Sequence, residues 1–466
     1  MLALVLTFDR LPAQFLSCYG NEWIETPHFD RLAARSAVFE QHFAEIPSEA
    51  GPQHPWWTGC FEFFGDRPTG ASPIAQMRAA GIHCQLLAEQ LAGLPVEQFS
   101  DAAEVAGTDG LEVEHDLVPF AQLISRAIDV LRQPATEQRK LLWLHSRGVP
   151  SPWLPPRFFA ELYLNEFEAD EPEVVDDGSE PVADDQPPSI DYEQIALDML
   201  DQFEADESLR QQVLSESLFD AVEPDDVDED SDAEPRGAVA QQSDHSAADD
   251  ESAEFLSRLS TLLFGSYVTL LDDRLGRLMT ELATCSEPVL LIVTAAMGQS
   301  FGERTGLGAE RVEKAPEAEL SEPVLHTPLF VWQSQRPGCG TRYHELSQPT
   351  DVPATLQDWF GVAVAEPQAG HSLIGLTNGN SPTWPRTQSL HFGTRGELGL
   401  RERGWFYRVN ASDLAAPTTD EPQDEDVVVG SLFVKPEDQW DINNVAALEH
   451  REQQRLLDEL RAVKRQ

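Results

Sequence analysis

The stretch LTFDRLPAQFLSCYGNEWIETPHFDRLAARSAVFEQHFAE, residues 6–45, decides the fold of this 466-residue chain. The apolar run LALVLTF leads into Asp9, and we expect a buried β-strand there because near-continuous apolar residues are typical of strands covered on both faces. A helix is predicted over residues 25–39, with Thr26 as its N-cap and Pro27 at its first position. A strand followed by a helix indicates the first unit of an α/β fold.

The same alternation continues along the chain. Three further apolar strands are predicted at KLLWLHS, PVLLIVTAA and TPLFVW, which are residues 140–146, 288–296 and 327–332. Between the first two, residues 256–283 place leucines at helical spacing. This order predicts a mostly parallel sheet sandwiched by helices on both faces. From about Pro385 the segments become shorter and alternating, and a last helix is predicted over residues 444–466, which indicates a small C-terminal α+β subdomain.

Negative charge is concentrated in one part of the chain. The formal net charge is −49, which disfavours nucleic acid and anionic membranes as partners because both repel a negative surface. Residues 166–254 contain 32 acidic and two basic side chains, a net charge of −30. A segment with so much charge and so few apolar groups cannot offset the entropy of ordering, so we predict a long disordered acidic insert.

These composition shifts divide the chain into four parts. Residues 1–165 and 255–384 form the two halves of the α/β domain, residues 166–254 are the insert, and residues 385–466 are the C-terminal subdomain. Within the insert, residues 191–222 have a different pattern, because apolar side chains recur at helical spacing. They are Ile195, Leu197, Met199, Leu200, Phe203, Leu209, Val213, Leu214 and Leu218. This amphipathic segment either lies on the parent domain or binds a protein partner.

Cysteine usage and hydropathy bear on the compartment. The five cysteines are an odd number without a CxxC pair, so reduced thiols are expected. The N-terminal apolar run lacks a preceding basic residue and is too short for a signal-peptide core. No stretch of about 18 apolar residues follows it. We therefore expect a cytoplasmic protein.

Several motifs resemble those of the sulfatase family, within the alkaline phosphatase superfamily. In that family the first strand ends in an acidic metal-binding motif that precedes a CYGN loop, as residues 6–45 do here. Further elements follow in family order: WWTG, LLWLHSRGVPSPWLPPRFFAELY, SYVTLLDDRLGRLMTEL, LHTPLFVW, TDVPATLQDWFGV and KPEDQWDINNVA. The resemblance implies a sulfatase-like α/β fold with a small C-terminal domain. It also implies hydrolysis of sulfate or phosphate esters with a bound calcium or magnesium ion.

The metal-binding positions that this resemblance assigns are mostly changed. Asp9 aligns with the first acid of the family, whereas Arg10 takes the place of the second. In the loop after the strand at 288–296, Ala296 replaces an acid and Met297 replaces an Asn or His. Neither side chain is a ligand for a hard dication, so one ligand in four is retained. Asp9 is then expected to pair with Arg10 or to accept from backbone amides, with residual metal binding as the alternative.

The nucleophile position is also changed. One alignment register places Glu49 there and another places Glu45, so both put a carboxylate where the family has Cys, Ser or Thr. Ser48 is the only nearby hydroxyl, and without a base or metal it would not be activated. No cysteine has Pro two residues on and Arg four residues on, so formation of a formylglycine is not supported.

Three histidines are further candidates for a pocket. His54 lies in the loop expected to line the family's site, and His145 and His326 lie at ends of apolar strands at the same edge. Together they would suit a soft metal ion, although a histidine at a strand end is more often hydrogen-bonded structure. Trp56 and Trp57 are predicted to pack in the core, with stacking on a sugar as the alternative.

Two functions of different class follow from these residues. In the first, the protein is a catalytically inactive sulfatase homologue, a binding or scaffold protein whose acidic insert contacts a protein partner. No cofactor is then expected, and a small anionic ester is disfavoured as a ligand. In the second, it is a sulfuric or phosphoric ester hydrolase with a remodelled active site, which would retain calcium or magnesium. Loss of a nucleophile and several ligands that act as a unit favours the first.

Overall fold

The computed structural model describes ten parts of the chain: residues 1–60, 70–133, 138–150, 153–164, 247–301, 319–336, 340–364, 369–378, 383–414 and 429–463. The acidic insert predicted at 166–254 lies outside the described residues, apart from residues 247–254, which begin a long helix. Cys18, Cys84 and Cys285 are free thiols, and Cys339 lies outside the described residues.

An eight-stranded sheet forms the centre of the larger domain, in the order β4-β3-β5-β1-β6-β7-β2-β8. Neighbouring strands of this sheet are parallel to each other, except that β7 runs antiparallel to both β6 and β2. The predicted mostly parallel sheet is thus confirmed. The strands are β1 Leu2–Arg10, β2 Ala37–His42, β3 His83–Ala88, β4 Asp101–Glu104, β5 Lys140–Gly148, β6 Val289–Met297, β7 Leu329–Gln333 and β8 Thr341–Ser347.

Helices cover both faces of this sheet. On one face α1, α4 and α5 pack against the long helix α6, and on the other α2, α3, α8 and α9 pack together. The helices of this domain are α1 Pro27–Ala33, α2 Pro55–Thr58, α3 Pro73–Ala79, α4 Pro119–Arg132, α5 Arg157–Leu164, α6 Ala247–Leu282, α7 Glu322–Leu325, α8 Asp351–Phe360 and α9 Leu373–Thr377. None of the helices in the described parts of the chain has both the length and the apolar character needed to cross a membrane.

Strand β1 shows why the core forms where it does. Its side chains alternate between two apolar layers: Leu4, Leu6 and Phe8 enter the layer under α1, α4 and α6, while Ala3 and Val5 enter the opposite one. All five are fully buried. A strand that must be apolar on both faces reads as a continuous hydrophobic run, which is the pattern the sequence shows.

The C-terminal subdomain is a four-stranded antiparallel sheet with one helix. Its strands are β9 Gln388–Phe392, β10 Glu397–Glu402, β11 Trp405–Asn410 and β12 Ser431–Val434, and its helix is α10 His450–Val463. The sheet order is β12-β11-β10-β9. Leu456, Leu457 and Leu460 of the helix pack on the apolar face of the sheet. The α+β character predicted for this region is confirmed.

Two predicted helix boundaries were wrong. The helix expected over 25–39 ends at Ala33, and Ala37–His42 is strand β2 instead. Thr26 is at the N-cap position and Pro27 begins α1, as predicted, but the Thr26 hydroxyl is hydrogen-bonded to Ser17 and makes no capping hydrogen bond. The carboxylate of Asp272 in α6 accepts from the first free backbone amides of α1 instead. A cap supplied from another helix leaves no signal in the local sequence.

The last helix also begins later than predicted, at His450 rather than residue 444. The side-chain oxygen of Asn444 accepts from the backbone amides of Leu432 and Ala446. This holds the preceding segment in a turn against β12, because Asn side chains compete well for backbone donors outside helices.

A buried ion-pair network joins the two sheets. The carboxylate of Glu322 in α7 accepts hydrogen bonds from Nη1 and Nη2 of Arg401, at 2.6 and 3.1 Å. One of its oxygens also lies 2.5 Å from Nζ of Lys435. The same Nζ lies 2.6 Å from Asp441. Although burial would raise the pKa of Glu322, the adjacent Arg401 and Lys435 lower it. Glu322 is therefore held charged by cations that the C-terminal subdomain supplies.

Replacing the central cation of this network should destabilise the fold. Lys435→Met removes the ammonium group that lies beside Asp441 and one oxygen of Glu322, and both carboxylates stay buried. We therefore expect the free energy of unfolding to fall by about 3–5 kcal/mol. Urea unfolding of both proteins measures the difference. Arg455→Met is the control: Arg455 also pairs with carboxylates but is 38% exposed, so a loss of at most about 1 kcal/mol is expected. Equal losses would show that burial does not decide the effect.

Candidate active-site region

Three parallel strands bring the aligned site positions together at one edge of the large sheet. In the register of β1, Phe8 lies opposite Ser146 of β5 and Ala295 of β6. Arg10 likewise lies opposite Gly148 and Met297. Because parallel strands end at the same edge, Asp9 and Arg10 sit between His145 on one side and the Ala296–Met297 pair on the other.

Asp9 is buried, and its carboxylate oxygen Oδ1 has two partners within the protein. Its Oδ1 accepts from the backbone amide of Ala50 at 2.8 Å and lies 3.2 Å from Nε2 of His145. Burial would raise the pKa of Asp9, but the His145 ring and the Ala50 amide outweigh it and the pKa is lowered. Of the two partners expected for Asp9, the backbone amide is present, whereas His145 takes the place expected for Arg10.

His145 links Asp9 to the interior of the sheet. Its Nδ1 lies 3.0 Å from Oγ1 of Thr7, and that hydroxyl accepts a hydrogen bond from Nε1 of Trp143 at 2.9 Å. Thr7 and Trp143 are fully buried. The threonine is therefore part of a closed chain of hydrogen bonds within the sheet, where no solvent or substrate reaches it.

His54 is buried against the indole ring of Trp56. Its Nδ1 accepts from the backbone amide of Trp56 at 3.3 Å, and its ring centroid lies 4.1 Å from that of Trp56. Burial lowers the pKa of His54 to about 3, with His145 acting in the same direction and Asp9 opposing. Trp56 and Trp57 are fully buried, as predicted, and both rings pack near His145.

The third predicted histidine lies in a different environment. Nε2 of His326 is 3.0 Å from the carbonyl oxygen of Glu40, and its ring packs edge-on against Tyr19. Burial lowers the pKa of His326, with Glu322 opposing and Arg401 reinforcing the shift. His54 and His145 thus flank Asp9, while His326 belongs to the surroundings of the buried ion-pair network.

Arg10, Ala296 and Met297 are the residues that the family resemblance aligns with metal-ligand positions. Ala296 is fully buried in the same apolar layer as Trp56, and Met297 is half-buried. Burial lowers the pKa of Arg10, whereas nearby Glu49 and Asp9 oppose this shift. A methyl group, a thioether and a guanidinium offer no oxygen or imidazole donor to a hard cation.

The two carboxylates aligned with the nucleophile differ in burial. Glu45 is completely buried, and its Oε1 accepts from the hydroxyl of Thr350 at 2.7 Å. Burial raises the pKa of Glu45 to about 8, against the opposing effects of Thr350 and Arg386. Glu49 is exposed and Ser48 is half-buried. Neither alignment register therefore places an activated nucleophile at this edge.

The donor set does not fit the calcium or magnesium ion that the fold family implies. Asp9 is the one carboxylate retained from the aligned ligands, and its Oδ1 already has two hydrogen-bonding partners. Among the described residues, no three His, Cys, Asp or Glu side chains lie where they could share a metal ion. Hard dications take six or more oxygen ligands, which this edge does not supply.

Sequence reasoning missed Thr7, Ala50 and Trp143. The sequence did contain a signal for Thr7. His145 comes five residues after Lys140, where β5 begins, and Thr7 comes five residues after Leu2, where β1 begins, so parallel pairing places the two side by side. The alternation of Trp143 and His145 also indicates side chains on one face. The approach of the Ala50 amide to Asp9 joins residues 41 positions apart and leaves no pattern in the sequence.

Comparison with known protein families identifies the family of this chain. The sequence profile of the family described as Sulfatase matches residues 50–362, about two thirds of the chain. The chain belongs to the sulfatase family. The matched range begins after residues 6–45, so the family assignment does not depend on the opening motif. No curated protein is detectably similar in sequence.

Solved structures of the alkaline phosphatase superfamily share the fold across the whole chain. A protein in complex with its substrate D-glucosamine-2-N,6-O-disulfate is 15% identical, with a TM-score of 0.65 over 100% of this chain and 98% of that one. The phosphonate monoester hydrolase of Agrobacterium radiobacter is 15% identical, with a TM-score of 0.62 over 99% and 95%. A 2-O GAG sulfatase is 13% identical, with a TM-score of 0.61 over 99% and 92%. At these identities the likeness establishes the sulfatase-like fold alone.

Glu45 should make stability depend on pH. Its pKa is about 8 in the folded protein against an ordinary 4.5, so the folded state holds a proton that the unfolded chain releases. The free energy of unfolding should therefore fall as pH rises from about 4.5 to 8. Glu45→Gln removes this loss, and we expect the variant to be more stable by about 2–4 kcal/mol at pH 8.

Urea unfolding between pH 5 and 8.5 measures this difference, which should shrink toward pH 5. The control is Glu49→Gln at the exposed neighbouring carboxylate, where a constant difference across the range is expected. A Glu45→Gln variant whose stability followed the parent protein at every pH would contradict the assignment.

Restoring the two lost ligands without the others should also destabilise the fold. Ala296→Asp places a second carboxylate in a buried apolar layer next to Asp9, and Met297→His adds an imidazole beside it. We expect the double variant to lose about 2–4 kcal/mol in the free energy of unfolding. Thermal melts with and without calcium or magnesium test this. An unchanged midpoint, or one that rises with added cation, would show that a hydrated metal pocket survives.

Proposed function

We propose that this sulfatase-family protein is catalytically inactive and acts as a binding or scaffold protein. The proposal rests on the hydrogen bonding of the Asp9 carboxylate. Its carboxylate is hydrogen-bonded to the Ala50 amide and to His145, next to the buried methyl group of Ala296. A carboxylate satisfied in this way needs no cation to offset its charge, and its neighbours offer none of the additional ligands a cation requires.

The surroundings support the same proposal. Covalent catalysis needs an exposed nucleophile held close to a base, and Thr7, which touches His145, is buried within β1. Glu45 is completely buried, and its carboxylate accepts a hydrogen bond from the hydroxyl of Thr350. Three indole rings fill the layer beside His54 and His145, which leaves apolar packing where a hydrated anion site would need polar groups.

Binding rather than catalysis is the role proposed for the remaining surface. The acidic insert carries most of the net charge, so a basic protein partner is the kind that electrostatics would attract. The same charge distribution disfavours nucleic acid and anionic lipid. The compartment proposed is the cytoplasm, in keeping with the free thiols of Cys18, Cys84 and Cys285.

Metal content and turnover test the proposal together. We expect purified protein to contain well under about 0.1 equivalents of calcium or magnesium by elemental analysis, because the oxygen ligands are missing. Hydrolysis of p-nitrophenyl sulfate, p-nitrophenyl phosphate and a phenyl phosphonate monoester should equal that of the Asp9→Ala variant.

The opposite result identifies the alternative function. One equivalent of tightly bound dication, together with turnover that Asp9→Ala abolishes, would establish a hydrolase with a remodelled site. Circular dichroism of Asp9→Ala shows whether that variant is folded. A folded Asp9→Asn variant provides the same comparison if Asp9→Ala is not.

A further inference from the structure

Helix α5 carries apolar side chains on two faces, and one of them is exposed. Phe159 and Tyr163 are buried against the core under α6. Phe158 and Leu162, one turn apart on the other side, are 62% and 49% exposed. An amphipathic surface helix normally presents polar groups to water, so a second apolar face indicates a binding surface.

The loop before α4 extends this exposed surface. The ring centroid of His115 lies 6.5 Å from that of Phe158, and Leu117, two residues further along, is 50% exposed. We call Phe158, Leu162, His115 and Leu117 the α5 face. A single exposed leucine needs no explanation, but three large apolar side chains around one helix and its neighbouring loop do.

The chain outside the described residues leaves from the end of the helix that carries this face. Residues 165–246 follow directly after α5 and end where α6 begins. The two helices pack together, with the Tyr163 hydroxyl 2.7 Å from that of Thr269. Both ends of these 82 residues are thus attached to the helix pair that carries the α5 face.

One part of that chain has the sequence pattern to bind an apolar surface. Residues 191–222 repeat apolar side chains at intervals of four, as in Ile195, Met199 and Phe203, whereas the stretches on either side are dominated by Asp and Glu. Helix-in-groove contacts use this spacing. Apolar side chains in an acidic segment stabilise nothing while they are exposed to water, so we expect this stripe to be covered by another apolar surface.

We propose that the amphipathic segment 191–222 binds the α5 face of its own chain. Thirty residues, 165–194, separate α5 from Ile195. A flexible linker of this length has a root-mean-square span of roughly 30 Å, which reaches the face. Tethering at such a distance gives an effective concentration of about a millimolar, so a contact too weak to hold a separate protein is sufficient here.

Hydrogen exchange of the full-length protein tests the contact on α5 itself. Deleting residues 191–222 should speed amide exchange in α5 at least about fivefold, since the segment no longer covers it. Deleting residues 223–246, an acidic stretch without the apolar stripe, is the matched control and should leave α5 unchanged. Equal exchange of α5 in the parent protein and the 191–222 deletion would overturn the proposal.

Binding in trans gives an independent readout. A fluorescent peptide of residues 191–222 should bind the 191–222 deletion protein saturably, and Phe158→Ser with Leu162→Ser should weaken it at least about tenfold. Leu448→Ser, at a leucine 79% exposed on the C-terminal subdomain, should leave binding unchanged. Because all three side chains are solvent-exposed, the variants should fold, and thermal melts verify this.

Two further outcomes would contradict the proposal. A concentration-dependent dimer, seen by light scattering and abolished by Phe158→Ser, would assign the face to a second copy. Failure of the peptide to bind the deletion protein would leave segment 191–222 available to a separate partner. Either result overturns the intrachain contact.

Discussion

The central position of β1 is the constraint on which the rest of the structure depends. This strand is hydrogen-bonded along its length to β5 on one side and β6 on the other, all three running in the same direction. Parallel pairing fixes which residues end at the same edge, so the fates of Asp9, His145 and Ala296 are linked. A change at one of these positions alters the electrostatic environment of the other two.

That linkage explains how a single carboxylate can be accommodated at this edge. A cluster of buried acids requires a dication to offset mutual repulsion, whereas one acid needs only an amide and an imidazole. The Ala50 amide and His145 provide these for Asp9. The alanine at position 296 adds no charge, and tryptophan rings pack where water would otherwise enter. The charge of Asp9 at this edge of the sheet therefore has partners within the protein.

The charged groups that remain buried serve a different purpose. Glu322, Arg401, Lys435 and Asp441 join the central sheet domain to the C-terminal subdomain, and the Arg401 guanidinium lies 3.9 Å from the centre of the Phe43 ring. Buried ion pairs add little net stability compared with apolar packing, but they penalise any misaligned docking because a displaced charge is left unpaired. The network therefore specifies how the two sheets meet.

The sequence by itself determined the strands that are apolar on both faces, the layered architecture and the family, because hydrophobic periodicity and motif order are local properties of the chain. It also identified Asp9, Arg10, Ala296 and Met297 as the positions to compare. Only the tertiary structure decided that His145, not Arg10, pairs with Asp9, that Asp272 caps α1, and that His326 lies apart from His54. These outcomes depend on burial and on contacts between residues far apart in the chain, and the free energy of a buried charge is set by the groups that surround it in space.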